Sequence, residues 1–245
     1  MIKCIYLAWQ DQATRGWHVI GQLLRIDEGY EFRYTHGIKN VPNFSLLPSM
    51  PDHEKVYRST ALFSLFKNRL MPKSRADYPN YIRWMGLSND NSADELITLA
   101  ISGGEKETDF FRIIPVPEKN ANNEYFFNFF VNGIRYMPDS AQELVNNLHQ
   151  GDILYLVHEP HNPKDKYAIL LRTDDPRSLI GYVPAYLTKI IHKINEEKGN
   201  HSVNIEVAQV NKDAPLQMRL LCKFSSTYLN KPWDEYEDEF KTLVS

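Results

Sequence analysis

The chain has 245 residues, 42% hydrophobic and 24% charged, which is ordinary globular usage with ample material for one large or two small domains. A formal net charge of −3 and a pI near 6.2 exclude a global basic field, so any contact with nucleic acid has to come from local groups. Only Cys4 and Cys222 are present, without CxxC spacing, which argues against a zinc ribbon or a disulfide scaffold and fits a reducing cytoplasm.

Three strands are predicted first: Ile2 to Trp9, Trp17 to Ile26 and Tyr30 to Tyr34, the last two joined as a hairpin by Asp27-Glu28-Gly29. The start, Met1-Ile-Lys-Cys-Ile-Tyr, lacks a signal-peptide pattern, and no apolar stretch reaches membrane-spanning length. Val41 to Tyr57, punctuated by Pro42, Pro48 and Pro51, reads as an ordered loop. Helical spacing then puts Leu62, Phe63, Phe66 and Leu70 on one face of a helix with Ser59 as its cap. A second short helix is predicted from Ser74 to Leu87. A third begins at Ser92, with capping-box spacing to Glu95, and stops at Gly103-Gly104. Phe110 to Ile114 reads as a strand closing the first domain. The proline-punctuated, Asn-rich stretch from Pro115 to Asn123 reads as a linker, dividing a domain of residues 1–117 from one of residues 118–226.

In the second domain, Tyr125 to Val131 is an aromatic strand and Ala141 to His149 a short helix capped by Ser140 or Asp139. Ile153 to Val157 reads as a buried strand entering a loop, and Tyr167 to Leu171 as the returning strand. Leu179 to Val183 is a third strand. Between the first two, Asn162-Pro163-Lys164-Asp165 carries turn chemistry, because proline fixes φ and the Asn and Asp side chains bond their own backbone. Tyr186 to Glu197 is a helix with Leu187, Ile190, Ile191 and Ile194 inward, and strands at Val203 to Val210 and Gln217 to Phe224 complete the set. Residues 227–245 interleave acids with Trp233, Tyr236 and Phe240, a pattern suited to docking as a helix or to staying mobile. The expected fold class is α+β: a small antiparallel sheet with helices, then a β-barrel with two short helices.

Four pieces of the second domain occur in an ordered series. They are Gly133-Ile134-Arg135-Tyr136, Gly151-Asp152-x-Leu154, Glu159-Pro160-x-Asn162-Pro163-x-Asp165-x-x-Ala168-Ile169 and Ile180-Gly181-Tyr182-Val183-Pro184. Over about residues 124–225 the chain thereby resembles the HIRAN domain, a small barrel related to the oligonucleotide-binding folds. That domain stands at the front of some Snf2-type DNA-remodelling enzymes and in free-standing bacterial proteins. The resemblance implies binding of single-stranded or 3′-terminal DNA through Arg135, Tyr136 and Asp165. An Arg guanidinium pairs bidentately with phosphate, a Tyr face stacks on an unpaired base, and a carboxylate accepts from a terminal hydroxyl. Lys164 stands where DNA-end-binding members tend to carry an aromatic residue, so a stacking wall is exchanged for a phosphate-pairing charge. Lys166 adds a second cation, and Arg172 is expected to join them on one rim. Asn162 and Pro163 are read as structuring the loop. From Glu124 to Lys223 eleven Lys or Arg face twelve Asp or Glu, so this domain as a whole is not a basic footprint.

Val19-Ile20-Gly21-x-Leu23, Tyr30-x-Phe32-x-Tyr34 and Leu65-Phe66-x-Asn68-Arg69-Leu70 make about residues 1–101 resemble the amino-terminal β-rich subdomain of HipA-type proteins. The kinase body of those proteins has no counterpart here: there is no His-Arg-Asp-like loop, glycine-rich phosphate loop or magnesium-binding pair. His158-Glu159-x-His161 lacks the helical spacing of a zinc-binding HExxH pair. The expectation is therefore a non-enzymatic protein with no catalytic residue, cofactor or metal. Arg69, Lys73, Arg75 and Arg83 accompany Tyr78, Tyr81 and Trp84, and read as a helix pair with a solvated basic face. Two functions fit the sequence. One is a bacterial nucleic-acid-binding or adaptor module; the other is a regulatory subunit of a toxin-antitoxin or phage-defence system, gripping a protein partner through the first domain and the tail.

Overall fold

In the computed structural model, which describes residues 3–88, 94–122, 124–199, 202–227 and 237–244, the chain folds as two units. The first comprises residues 1–78, 91–116 and 231–245, and the second residues 79–90 and 117–230.

Strands β1 (Cys4–Gln10), β2 (Trp17–Ile26) and β3 (Gly29–Tyr34) form an antiparallel meander, flanked by the edge strands β4 (Tyr57–Ser59) and β5 (Phe111–Pro115). The sheet runs β4-β3-β2-β1-β5. Period-two alternation sends Ile5 and Leu7, and Phe32 and Tyr34, into one core, and a register shift in β2 between Val19 and Gly21 brings Ile20 into it with Leu23; each is 0% exposed. The loop after β3 is ordered by a side chain of that core. The Tyr34 hydroxyl accepts from Leu47 N–H at 2.8 Å and donates to Met50 O at 2.7 Å.

The helices of this part of the chain are α1 (Ser64–Lys67), α2 (Tyr78–Trp84), which leads into the second unit, and α3 (Glu95–Ser102). The helix expected from Ser59 shrinks to the single turn α1. Ser59 belongs instead to β4, opposite Tyr30, and its hydroxyl bonds Ala61 O at 2.6 Å in a turn. Pairing with the edge of β3 competes successfully with one more helical turn there. The expected cap Ser92 lies outside the described residues. Asp94 caps α3, accepting from Leu96 and Ile97 N–H at 3.0 and 3.2 Å, and its carboxylate is held bidentately by Arg25 at 2.7 and 2.8 Å.

The carboxy-terminal segment returns to this sheet as a 3-10 turn, Asp238–Phe240, and an isolated bridge from Thr242 to Thr35. Phe240 packs edge-on against Tyr6 with ring centroids 4.8 Å apart, and Leu243 N–H donates to Tyr34 O at 2.9 Å. The α-helical docking considered for the tail does not occur at Phe240; Trp233 and Tyr236 lie outside the described residues.

The second unit is a seven-stranded antiparallel sheet built from β6 (Glu118–Lys119), β7 (Tyr125–Phe130), β8 (Ile153–His158), β9 (Ile169–Arg172), β10 (Leu179–Tyr182), β11 (Asn204–Val210) and β12 (Leu220–Ser226). Its order is β10-β9-β8-β11-β12-β7-β6. Two further helices belong to it, α4 (Asp139–Val145) and α5 (Ala185–Lys198). The first begins after Pro138 with no side-chain cap, so neither Asp139 nor Ser140 has that role; both lie inside the first turn. The second buries Leu187, Ile190, Ile191 and Ile194.

The sheet curls into a half-barrel, and its two ends meet just beyond β7, where Asn132 and Tyr182 exchange backbone hydrogen bonds of 2.7 and 2.9 Å. Gly181 makes this approach possible. At its φ of +151° a Cβ would stand 2.5 Å from Val131 Cγ1 and 2.7 Å from Asn132 O. The apolar run of β8 is not buried as expected. Leu154 points inward, but Ile153 and Tyr155 are 43% and 42% exposed, because nothing in this unit covers the outer face of the β8–β9 hairpin among the described residues. No helix among those residues is long and apolar enough to cross a membrane.

Candidate nucleic-acid interface

Two segments build the site. In the first, Gly133 turns the chain with φ +72° into the 3-10 helix Ile134–Tyr136. Ile134 is buried and anchors the turn, which leaves the next two side chains outside. Tyr136 is 70% exposed, the most open large hydrophobic side chain among the described residues. Arg135 Nη2 donates to its hydroxyl at 2.6 Å, and the guanidinium carbon lies 4.7 Å from the ring centroid. A cation is thereby held beside an open aromatic face. A Cβ at Gly133 would come within 3.0 Å of the Tyr182 ring, so that ring sits directly against the glycine.

The second segment is the loop between β8 and β9. The Asn162 side chain organises it: Oδ1 accepts from Lys164 and Asp165 N–H at 2.9 and 3.0 Å, while Nδ2 donates to Glu159 Oε2 at 2.7 Å. Asp165 Oδ1 then accepts from Tyr167 N–H at 2.9 Å. Pro163, Lys164 and Lys166 are exposed and Asp165 is half-buried. Lys166 Nζ lies 4.9 Å from the Tyr167 ring centroid.

Tyr182 joins the two segments. Its backbone holds Asn132, its ring lies against Gly133, and its hydroxyl donates to Glu159 Oε2 at 3.1 Å, the oxygen that also serves Asn162. Partial burial, then the hydrogen bond and the charge of Glu159, raise the Tyr182 phenol above its ordinary value. A third support comes from α5. His192 Nε2 lies 3.3 Å from both His158 Nδ1 and Tyr167 O, with the two imidazole centroids 4.4 Å apart. Partial burial and the neighbouring His192 hold His158 below the usual imidazole range.

Glu159, Tyr182 and His192 were not selected as site residues from the sequence. The first two stand inside the motif pieces and carried a signal of position. His192 carried none, because its partners lie 34 and 25 residues away. Arg172 does not share the loop's rim. It faces Tyr155 and Leu179 across the sheet, with its guanidinium 4.9 Å from the Tyr155 ring, whereas the loop leaves the hairpin at His158 and Ile169. Three strand residues separate the two places, about 10 Å.

His158 and Glu159 are engaged with His192, Tyr182 and Asn162, and no group of three or more metal-ligating side chains occurs among the described residues. In the first unit, Arg69 is buried against Asp109 at 2.5 Å and Gly104 O at 2.8 Å, and Arg75 pairs with Asp77 at 2.8 Å. In the second, Arg83 pairs with Asp213 at 2.5 Å. These three arginines of the basic-aromatic stretch thus have acidic partners within their own units.

A curled antiparallel barrel with an exposed aromatic-cation edge and a side-chain-braced loop places the second unit among small β-barrel modules. The family model of the HIRAN domain matches residues 125–228, less than half of the chain and within that unit. Two solved structures are similar. One is a protein from Lactobacillus plantarum, with 17% identity over 42% of this chain and 96% of that one and a TM-score of 0.33. The other is the HIRAN domain of human HLTF, with 20% identity over 47% of this chain and 85% of that one and a TM-score of 0.33. No curated protein matches the sequence.

Proposed function

We propose that the second unit binds DNA, single-stranded or at a strand terminus, and that it does so as a recognition module rather than as an enzyme. The observation that carries this reading is the Arg135–Tyr136 pair, a 70% exposed aromatic ring with a guanidinium held over it, 4.7 Å from the ring centroid and bonded to its hydroxyl. Such a ring stacks on an unpaired base in any sequence, and the guanidinium reaches the adjoining phosphate. The HIRAN match over residues 125–228 supports DNA as the ligand. Lys164 and Lys166, exposed on a loop that Asn162 and Pro163 shape, add two cations for the backbone, and the half-buried Asp165 offers an acceptor for a terminal hydroxyl. With no aromatic residue at position 164, the reading favours backbone contacts over tight enclosure of the last base. The first unit is read as an accessory, HipA-like subdomain whose motif residues occupy β2, β3, the α1 turn and the three residues that follow it.

Labelled single strands with free and phosphate-blocked 3′ ends, titrated against the wild-type chain and Arg135→Ala, test the proposal. The expected result is binding that weakens on substitution by about fivefold to a hundredfold, the range of 1–3 kcal/mol per stacked base or phosphate contact. Absence of binding at low salt sinks the DNA reading. Binding indifferent to the 3′ block removes end recognition alone.

A further inference from the structure

Strand register shows how the outer face of β8, β9 and β10 is built. Alternation along β8 puts Ile153, Tyr155, Val157 and, one step beyond the strand, Glu159 on one side. Their cross-strand partners share that side: Arg172 and then Leu179 beside Tyr155, Leu170 and then Tyr182 beside Val157. The Tyr182 hydroxyl reaches Glu159 there, and the rings of Tyr182 and Tyr136 come within 3.0 and 3.7 Å of where a Cβ at Gly133 would stand. One surface therefore runs from the Arg135–Tyr136 turn, past Tyr182, to Tyr155.

The exposed chemistry of this surface repeats that of the turn. Among the described residues five large hydrophobic side chains are 40% or more exposed. Ile153, Tyr155 and Leu179 adjoin one another on this face and Tyr136 stands at its end, while the fifth, Phe110, belongs to the other unit. The Arg172 guanidinium is held 4.9 Å from the Tyr155 ring centroid, as that of Arg135 is held 4.7 Å from Tyr136. Arg172 Nη1 donates to Thr173 O at 2.8 Å and stands 4.0 Å from the exposed Asp174, which leaves Nε and Nη2 without a partner among the described residues. Past Ile153 the face closes with Glu206, which is paired with Lys223 at 3.7 Å.

A tyrosine ring and a guanidinium stacked on each other give a base a flat surface and its phosphate a cation, without regard to sequence. Ile153 and Leu179 flank the pair with apolar surface. The three open side chains expose roughly 250 Å², about a third of what each partner buries in a stable protein interface, so size favours a strand over a second copy of the chain. Three strand residues, about 10 Å, separate Arg172 from the loop that carries Asp165, which is the rise of about three stacked nucleotides. From this repetition on one continuous face we infer that Tyr155 and Arg172 form a second stacking subsite, for a single strand whose terminus occupies the Arg135–Asp165 site. The inference rests on the strand-binding reading and adds a path to it: the strand leaves the terminal site over the outer face of the β8–β9 hairpin.

Oligothymidylates of three and eight nucleotides, labelled at the 5′ end and with free 3′ hydroxyls, are titrated against the full chain as wild type, Tyr155→Ala, Tyr155→Phe and Arg172→Gln. A thermal melt checks that each variant folds, and light scattering gives its mass. Wild type is expected to bind the octamer at least about fivefold more tightly than the trimer, from one further stacked base. Tyr155→Ala and Arg172→Gln should each remove about fivefold or more from octamer affinity and leave the trimer unchanged. Tyr155→Phe keeps the ring and should match wild type. Equal affinity for the two lengths, an octamer affinity untouched by Tyr155→Ala, or an equal loss for trimer and octamer overturns the subsite. A wild-type dimer that Tyr155→Ala dissociates also overturns it, by giving the face to a second copy. Trimer binding without a length advantage sinks this inference alone, whereas no binding of either strand sinks the strand-binding reading as well.

Discussion

The Tyr182 hydroxyl donates to Glu159 Oε2 at 3.1 Å, and that single oxygen also receives Asn162 Nδ2 at 2.7 Å. One carboxylate thus fastens the edge strand β10 to the loop that carries Lys164 and Lys166. Because the Tyr182 backbone also pairs with Asn132, beside Gly133, the two proposed DNA-contacting segments share one brace.

Asn162→Ala should free the loop. It removes two accepted backbone hydrogen bonds and one donated to Glu159, a loss of about 1–3 kcal/mol in local stability. Amide hydrogen exchange at Lys164 and Asp165 should quicken, and strand affinity should fall through ordering cost with Lys164 and Lys166 still present. Unchanged exchange at those two amides would show that the side chain is not what holds the loop.

Gly181→Ala should open the barrel where its ends meet. The added methyl would stand 2.7 Å from Asn132 O and 2.5 Å from Val131 Cγ1, at a φ that L-residues rarely adopt. A destabilisation of about 2–4 kcal/mol is expected in chemical denaturation. Loss of strand binding should accompany it, since the Asn132 bridge sets the position of Gly133 and the turn beyond.

Tyr34→Phe tests the first unit independently. The hydroxyl is fully buried between Leu47 N–H and Met50 O, and desolvation pushes its pKa up to about 12. Its removal leaves a donor and an acceptor unpaired in the core, for about 1–3 kcal/mol. Differential scanning calorimetry should show a lower midpoint, while strand affinity stays at the wild-type value.

The His158–His192 pair makes the loop's support pH-dependent. His158 has a folded pKa below its unfolded value of 6.5, so the fold favours the neutral ring. Its stabilising contribution is present above that value and is lost as the pH falls through the lower folded value. Imidazole NMR titration should find His158 protonating below the ordinary range, with the shift reduced but not removed in His192→Gln, because the burial contribution remains.

Salt dependence measures how local the interface is. Three exposed cations, Arg135, Lys164 and Lys166, predict that log affinity for a single strand falls with log salt at a slope of about −2. A much steeper slope would mean that a wider basic surface takes part.

Local chemistry made much of this protein readable before folding. Alternation in Tyr30 to Tyr34, the helical stripe of Leu187, Ile190, Ile191 and Ile194, and the turn residues Asn162 and Asp165 each act within a few positions of themselves. Those signals determined the element types, the α+β class and the ordered pieces that match a HIRAN domain. Tertiary structure decided what depends on partners distant in the chain. Ser59 became strand because β3 offered it an edge, and Ile153 and Tyr155 stayed exposed because nothing described covers the hairpin's outer face. Arg172 fell away from the loop through strand register, and His192 entered the site across 34 residues. Periodicity reports which face of an element is apolar; only packing decides what that face meets.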